Sequence, residues 1–363
     1  MANTVFILGA GASKEAGAPL MGDFLDTADN LWRSGNVRGV EDSFQKVFQG
    51  ISELQQVHSK SQLDIQNVES VFAAFEMGRT LKKFGGYSLD QIGELAKAMR
   101  QVIVHTIQTT LKLPVQGQRA VEPPPYKDFV RLVSYLRGEA SPPSDVAIIT
   151  FNYDMAIDYS LYINRISVNY SLEEDKSLSG IPLLKLHGSL NWARCSVCNQ
   201  VIPWLLSDYF KEYSWNIFHG DNIKYVTLGI GSHLKSYAHC SKDKNVDEEP
   251  VIVPPTWNKT QYHETLSNVW SRAAEELSDA ENIFAIGYSL PMSDAFFRYL
   301  YALGTVGRTT LKRFWVFNPD RSGQTESRFR ELLGPGAQAR FRYFPEPFSG
   351  SIGIIENKFP GRR

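Results

Sequence analysis

Cysteine is scarce in this chain, with three in 363 residues. Three thiols cannot build a disulfide framework, so a reducing compartment is expected and a packed core must carry the fold. Net charge is missing too. Thirty-eight Lys and Arg stand against 39 Asp and Glu, which leaves −1 (38 − 39). That balance argues against bulk electrostatic binding of nucleic acid or an anionic membrane. No stretch approaches the roughly 18 uninterrupted apolar residues that a membrane span needs. Met1 to Leu8 has no basic start and no long apolar run, so no secretory signal is read there and a cytoplasmic protein is expected. There is no internal repeat and no low-complexity tract.

What is present is ordinary globular material. Hydrophobic residues make up 43% and charged residues 21%, which excludes a disordered or fibrous chain. The length fits one large domain with an insertion, or two domains. Val5–Leu8 is a short apolar run ending in Gly9-Ala10-Gly11, a pattern for a buried strand entering a tight turn. Similar runs occur at Val146–Phe151, Leu183–Leu186, Ile283–Ile286 and Phe314–Phe317, with helical stretches such as Tyr153–Tyr162 and Ser293–Leu303 between them. Buried strands alternating with helices predict an α/β fold with a parallel sheet covered on both faces.

The style changes twice along the chain. From about Leu20 to Lys112 helical periodicity dominates, as in Val68, Val71, Phe72 and Phe75. Leu113–Tyr126, with Pro114, Gly117 and three prolines at 123–125, reads as a linker closing that block. Asn191 to Pro255 is rich in Trp and Tyr, holds all three cysteines, and reads as a small irregular module. The expected division is a Rossmann-like domain from 1–25, 126–190 and 256–363, a helical insertion at 26–125, and the small module at 191–255. Glu275 and Glu276, and Glu248 and Glu249, read as solvated surface.

A glycine turn directly after a strand lets backbone N–H groups approach a pyrophosphate. Gly9, Gly11 and Ser13 occupy such a turn, but Lys14 stands where a dehydrogenase fingerprint needs its third glycine. The turn could equally be a plain strand-to-helix joint. Four further segments follow predicted strands in order: Thr150-Phe151-Asn152-Tyr153-Asp154, Leu186-His187-Gly188-Ser189, Gly287-Tyr288-Ser289-Leu290, and Asn318. Together with the turn, they could converge on the carboxyl edge of one sheet.

That order of residue types resembles the sirtuin (SIR2) family, and more closely its SIR2-like branch in bacterial anti-phage defence. The resemblance covers the sheet-forming segments, roughly 1–20 and 126–330. It implies a sirtuin-like Rossmann-type sheet with NAD+ as the substrate. Gly9, Ala10, Gly11 and Ser13 match the turn that holds NAD phosphates. Asn152 and Asp154 match the Asn and Asp of the Thr-Gln-Asn-Ile-Asp motif, which contact the nicotinamide ribose and amide. Phe151 replaces the Gln of that motif and Tyr153 its Ile, which suggests a reshaped reaction pocket. His187 matches the catalytic histidine. Gly287 and Ser289 match the Gly-x-Ser phosphate contact, and Asn318 matches a residue that reads the adenosine ribose. The bland alternatives are an N-cap role for Asn152 and support of a first helical turn by Asp154. His58, His105, His219, His233 and His263 match nothing and read as solvated or packed.

Cys195-x-x-Cys198 has the spacing of half a zinc site, and only Cys240 follows it, with His239 and Asp243 nearby. A structural zinc and a degenerate module without metal both fit. The resemblance implies either NAD+ hydrolysis or peptide deacylation. Both begin by breaking the nicotinamide–ribose bond through an oxocarbenium-like state. Val251–Pro255 stands where the family clamps a peptide as an added strand, and its two prolines remove two backbone donors. Together with Phe151 and the incomplete cysteine set, this favours hydrolysis over deacylation, and the retained Asn152 and His187 argue against an NAD or ADP-ribose sensor without turnover. The defence relatives imply a homo-oligomer, or a regulatory partner such as a HerA-type ATPase.

Overall fold

The computed structural model describes residues 2–55, 63–140, 143–173, 179–213, 224–234, 246, 249–253, 265–307 and 309–359. Its strands in chain order are β1 (Thr4–Leu8), β2 (Leu113–Gln116), β3 (Arg119–Ala120), β4 (Val146–Thr150), β5 (Val168–Asn169) and β6 (Ile181–Lys185). They continue with β7 (Trp192–Arg194), β8 (Val201–Pro203), β9 (Tyr225–Val226), β10 (Asn282–Ile286), β11 (Arg313–Phe317) and β12 (Phe341–Phe344). Seven of these form one sheet in the order β12-β11-β10-β1-β4-β6-β5, with every pair parallel. Every residue of β1, β4 and β10 is buried, which is why these strands read as continuous apolar runs rather than as alternation. The predicted α/β fold with a parallel sheet is the observed one.

β1 sits in the middle. The chain passes from it to β4 on one side and later to β10 on the other, so the direction of winding reverses there. Open α/β sheets bind ligands outside the carboxyl ends of the strands at such a reversal. Register makes the edge even: Leu8 lies level with Thr150 and Ile286, Thr150 with Lys185, and Ile286 with Phe317. The next residues, Gly9, Phe151, Leu186, Gly287 and Asn318, therefore form one row.

Among the described residues from 9 to 145, none adds a strand to this sheet. The block is helical: α1 (Ala10–Lys14), α2 (Phe24–Arg33), α3 (Glu41–Gln55), α4 (Val68–Leu81), α5 (Leu89–Thr110) and α6 (Pro124–Gly138). Asn67 caps α4, and Ser88 with Gln91 forms a reciprocal capping box on α5. Phe44, Phe72, Phe75 and Met99 of this block share a core with Tyr153, Tyr159 and Trp204. Phe6, Phe129, Phe284 and Phe348 belong to a separate core around the sheet.

Several expectations are corrected. Leu113–Tyr126 is not a plain linker, because β2 pairs antiparallel with β3 and with β9. Pro123 is the N-cap of α6 and Pro124 its first residue, where a missing N–H costs nothing, so those prolines start a helix. Glu276 is fully buried: Arg272 lies 2.6 Å from its Oε1 and the Ala2 amide donates to its Oε2 at 2.6 Å. Glu275 is half-buried beside Arg272, and Glu249 accepts from Arg100 Nε at 3.0 Å. These three are tethered, whereas Glu248 lies outside the described residues. Helix α7 (Ala156–Ile163) begins three residues later than expected. The edge strands β5 and β12 were not anticipated, being two and four residues long.

Beneath the edge, Lys185 Nζ donates to Asp158 Oδ2 at 2.9 Å and to the Asp154 carbonyl at 2.7 Å, with both side chains of the ion pair essentially inaccessible. Tyr170 donates to the other Asp158 oxygen at 2.6 Å. Removing one member of a buried pair leaves an uncompensated charge. Lys185→Met is expected to lower unfolding free energy by about 3–5 kcal/mol in urea denaturation, and Lys185→Met with Asp158→Leu to recover most of it. A single variant as stable as the parent contradicts this account.

Candidate active site

A cavity of about 370 Å³ opens above the carboxyl edge. Ala10, Gly11, Ser13, Asn152, Asp154, His187, Gly287, Ser289 and Asn318 all line it, and Gly9 lies in the turn at its margin. Residues up to 308 positions apart in sequence, Ala10 and Asn318, thus line one cavity because the register aligns their strands.

The turn after β1 is fixed by its neighbour after β10. Gly287 has φ +64°, and a Cβ there would lie 2.3 Å from the Ala12 amide nitrogen. A Cβ on Gly11 would lie 2.8 Å from the Gly287 backbone. Both glycines are therefore required by backbone approach, whatever binds above them. The Gly9 amide donates to the Ile286 carbonyl, that of Gly11 to Gly287, and that of Ala12 to Gly9. These three N–H groups are engaged within the protein, so the turn's contribution to an anion is narrower than the sequence suggests.

Asn152 ties the turn to β4. Its Nδ2 donates to the Gly9 carbonyl at 2.9 Å and to Ser13 Oγ at 3.0 Å, which leaves Oδ1 as the acceptor it offers the cavity. It is not the helix cap, because α7 is capped at Met155. Ser13 also bonds the Tyr126 hydroxyl at 2.7 Å. Asp154 is buried, and its Oδ1 accepts from the Ala156 amide at 2.9 Å, so it supports the first turn of α7. Burial pushes its carboxyl above the ordinary value, against the opposing pull of the Lys185 cation.

His187 follows β6. Its Nε2 lies 3.2 Å from Asp294 Oδ1, and its ring meets Phe151 edge-on at 5.1 Å. Phe151 stacks on Tyr288 at 4.2 Å. Phe151 is thus part of a packed aromatic wall. Gly188, at φ +86°, lets Val251 pass close, since a Cβ would fall 2.0 Å from the Val251 carbonyl oxygen. Val253 donates to the His187 carbonyl at 2.7 Å, and Tyr153 Oη donates to the Val253 carbonyl at 2.6 Å. The roof comes from the helical block: Phe24 of α2, Val68 and Glu69 of α4, and Ile103 and Ile107 of α5.

At the far end, Asn318 Oδ1 accepts from the Asp320 amide at 3.0 Å. Asp320 also lines the cavity, and donors from Ser322 and Thr325 hold its carboxyl well below the usual range. Sequence reasoning missed Asp294, Tyr288 and Tyr126. The one available signal was an Asp at the start of the helix at Ala295–Gly304. The partly buried His105 bonds the Asn36 carbonyl, and the exposed His233 bonds the Gly229 carbonyl. His58, His219 and His263 lie outside the described residues.

Cys195 and Cys198 sit in the turn of the β7–β8 hairpin. The Val197 and Cys198 amides approach Cys195 Sγ at 3.4 and 3.3 Å. Cys240, His239 and Asp243 lie outside the described residues, and no group of three His, Cys, Asp or Glu that could hold a metal occurs among the described ones. Two thiols are half of a tetrahedral zinc donor set.

An acid whose native value is raised favours the protonated fold. Its contribution is full below the ordinary Asp value of about 3.9 and is lost as pH rises toward the native value. Asp154→Asn should remove that loss. Its stability relative to the parent should therefore grow with pH across this window and then level off in urea denaturation. A flat difference would show Asp154 to be unperturbed.

No family model matches the chain, and no curated protein does. Among solved structures it is similar to a mutant Sir2 homologue in complex with ADP-ribose, at 15% identity over 98% of this chain and 91% of that one, with a TM-score of 0.39. A Sir2 homologue–NAD complex gives 12% identity over 99% and 90%, with a TM-score of 0.42. Another, described under the mechanism and regulation of Sir2 enzymes, gives 15% over 99% and 93%, with a TM-score of 0.43. Superpositions this loose carry no residue-by-residue correspondence, so the site stands on its own geometry.

Proposed function

We propose that the protein is an NAD+ glycohydrolase, which converts NAD+ and water to nicotinamide, ADP-ribose and a proton. The observation that carries this reading is the meeting of Asn152 and His187 in one cavity with the glycine turns after β1 and β10. As nicotinamide leaves with the electron pair of the N-glycosidic bond, positive charge develops on the ribose. Asn152 Oδ1, whose amide nitrogen is held by Gly9 and Ser13, is the fixed acceptor that orients a ribose hydroxyl or the attacking water. His187 is the general base that takes the proton from that hydroxyl or water. Asp154 stands near the nicotinamide, Gly287 and Ser289 near the phosphates, and Asn318 near the adenosine ribose.

Hydrolysis is favoured over deacylation by the Phe151–Tyr288 wall and by the hold on Val251 and Val253. Val251 accepts from the Ser189 amide and donates to the Trp192 carbonyl, and both polar groups of Val253 are also bonded within the protein. Pro254 and Pro255 lie outside the described residues. On the same reading, the protein depletes NAD+ as an anti-phage effector, as a homo-oligomer or under a HerA-type ATPase. The family resemblance of the motifs supports that context.

His187→Ala is expected to lower nicotinamide release by about 10²–10⁴-fold, the range that general acid–base groups contribute, and Asn152→Ala, which removes an orienting acceptor, by about 10²-fold. Asn152→Ala also cuts two ties of the turn, so its melting temperature is measured alongside. Parental turnover in His187→Ala removes the assignment. Release that depends on an acylated peptide selects deacylation instead.

A further inference from the structure

We propose that Asp294 is the positioning residue for His187, holding the imidazole with its proton on Nε2 so that Nδ1 carries the lone pair that accepts a proton. This rests on the general-base role given to His187 above. Asp294 is buried and closes the short turn at Met292–Asp294, as the N-cap of the helix at Ala295–Gly304. Its two oxygens are divided: Oδ1 lies 3.2 Å from His187 Nε2, and Oδ2 accepts from the Tyr288 hydroxyl at 3.0 Å. The N-terminal end of a ten-residue helix adds a favourable dipole to the carboxylate.

Tyr288 is placed to serve as a donor. Burial and the neighbouring Asp294 charge push its hydroxyl well above the ordinary value, so it keeps its proton. Its ring is locked against Phe151, which in turn meets His187 edge-on. Tyr288 thus donates to one oxygen of Asp294 while the other oxygen faces His187 Nε2 at 3.2 Å, an arrangement in which a carboxylate sets the tautomer and orientation of an imidazole and stabilises its cation. Among the described residues, the charged or titratable groups near these three include Tyr153, whose ring lies 6.2 Å from that of His187, and Glu69 and Arg298, which act on Tyr288. In the proposed step the proton leaves water or a ribose hydroxyl for Nδ1. Asp294 remains ionised throughout, opposite the new imidazolium.

The test is the NMR titration of His187 in the full-length protein, read with nicotinamide release. Asp294→Asn keeps the shape and removes the charge. It should lower the His187 midpoint by about one pH unit or more. It should also lower kcat by roughly 10–100-fold with KM changed less than about threefold. Asp294→Glu should recover part of both. Tyr288→Phe keeps the stacked ring but withdraws a donor from the carboxylate, so it should move the midpoint in the opposite direction, upward. It also serves as the readout if Asp294→Asn does not fold. An unchanged midpoint in the folded Asn variant overturns the proposal whether or not the parent turns over NAD+, as does an unchanged or lowered midpoint in Tyr288→Phe. A midpoint that moves as expected in a parent that releases no nicotinamide keeps the pairing and removes the hydrolase reading instead.

Discussion

The contact between the backbones of Gly11 and Gly287 sets the distance between the loops after β1 and β10. Neither position has room for a Cβ, and the Gly11 amide donates to the Gly287 carbonyl at 2.9 Å. Once these loops are in contact, Asn152 reaches the Gly9 carbonyl and Ser13 from the third strand end. Tyr288 is thereby delivered against Phe151 and Asp294. A side chain at either glycine would act on all of these contacts together. Loss of ligand binding in such a variant would therefore say little about phosphate, because the loop itself would have moved.

The sheet was legible because its strands are buried on both faces and read as unbroken apolar runs. The edge was legible because each such run ends in a residue type unusual for a strand, namely Gly9, Asn152, His187, Gly287 or Asn318. What stayed hidden was set by tertiary contact. Pro123 and Pro124 read as punctuation but open α6, since nothing local distinguishes a proline ending a loop from one starting a helix. Glu276 read as surface because the Ala2 amide that it accepts from lies 274 residues away. Asp294 could not be tied to His187 from sequence, since 107 positions separate them and only the packing of the β10 loop across the β6 end brings them within 3.2 Å.

The helical block has a role that periodicity could not show. Its buried stripe does not form a core of its own. It packs on Tyr153, Tyr159 and Trp204, and so leans over the carboxyl edge. Val68, Glu69, Ile103 and Ile107 then close the cavity from above. The apolar members of that set, Val68, Ile103 and Ile107, lower the local dielectric, which strengthens charge interactions beside them.

Two carboxylates near the edge show how environment divides labour. Asp154 is buried with a backbone donor and a lysine at one remove, and burial dominates, so its native value is raised. Asp294 is equally buried but has a phenol on one oxygen, an imidazole on the other and a helix start behind it. Desolvation alone favours the neutral acid, and each added donor or cation shifts the balance back toward the ion. The imidazole matters most in that set, because it is the one partner that can itself become charged. A carboxylate placed to meet that charge gains its full worth only after His187 has taken a proton. On the proposed general-base role of His187, Asp294 would favour the charge-developed state over the resting one, which is the condition for lowering a barrier rather than merely tightening binding.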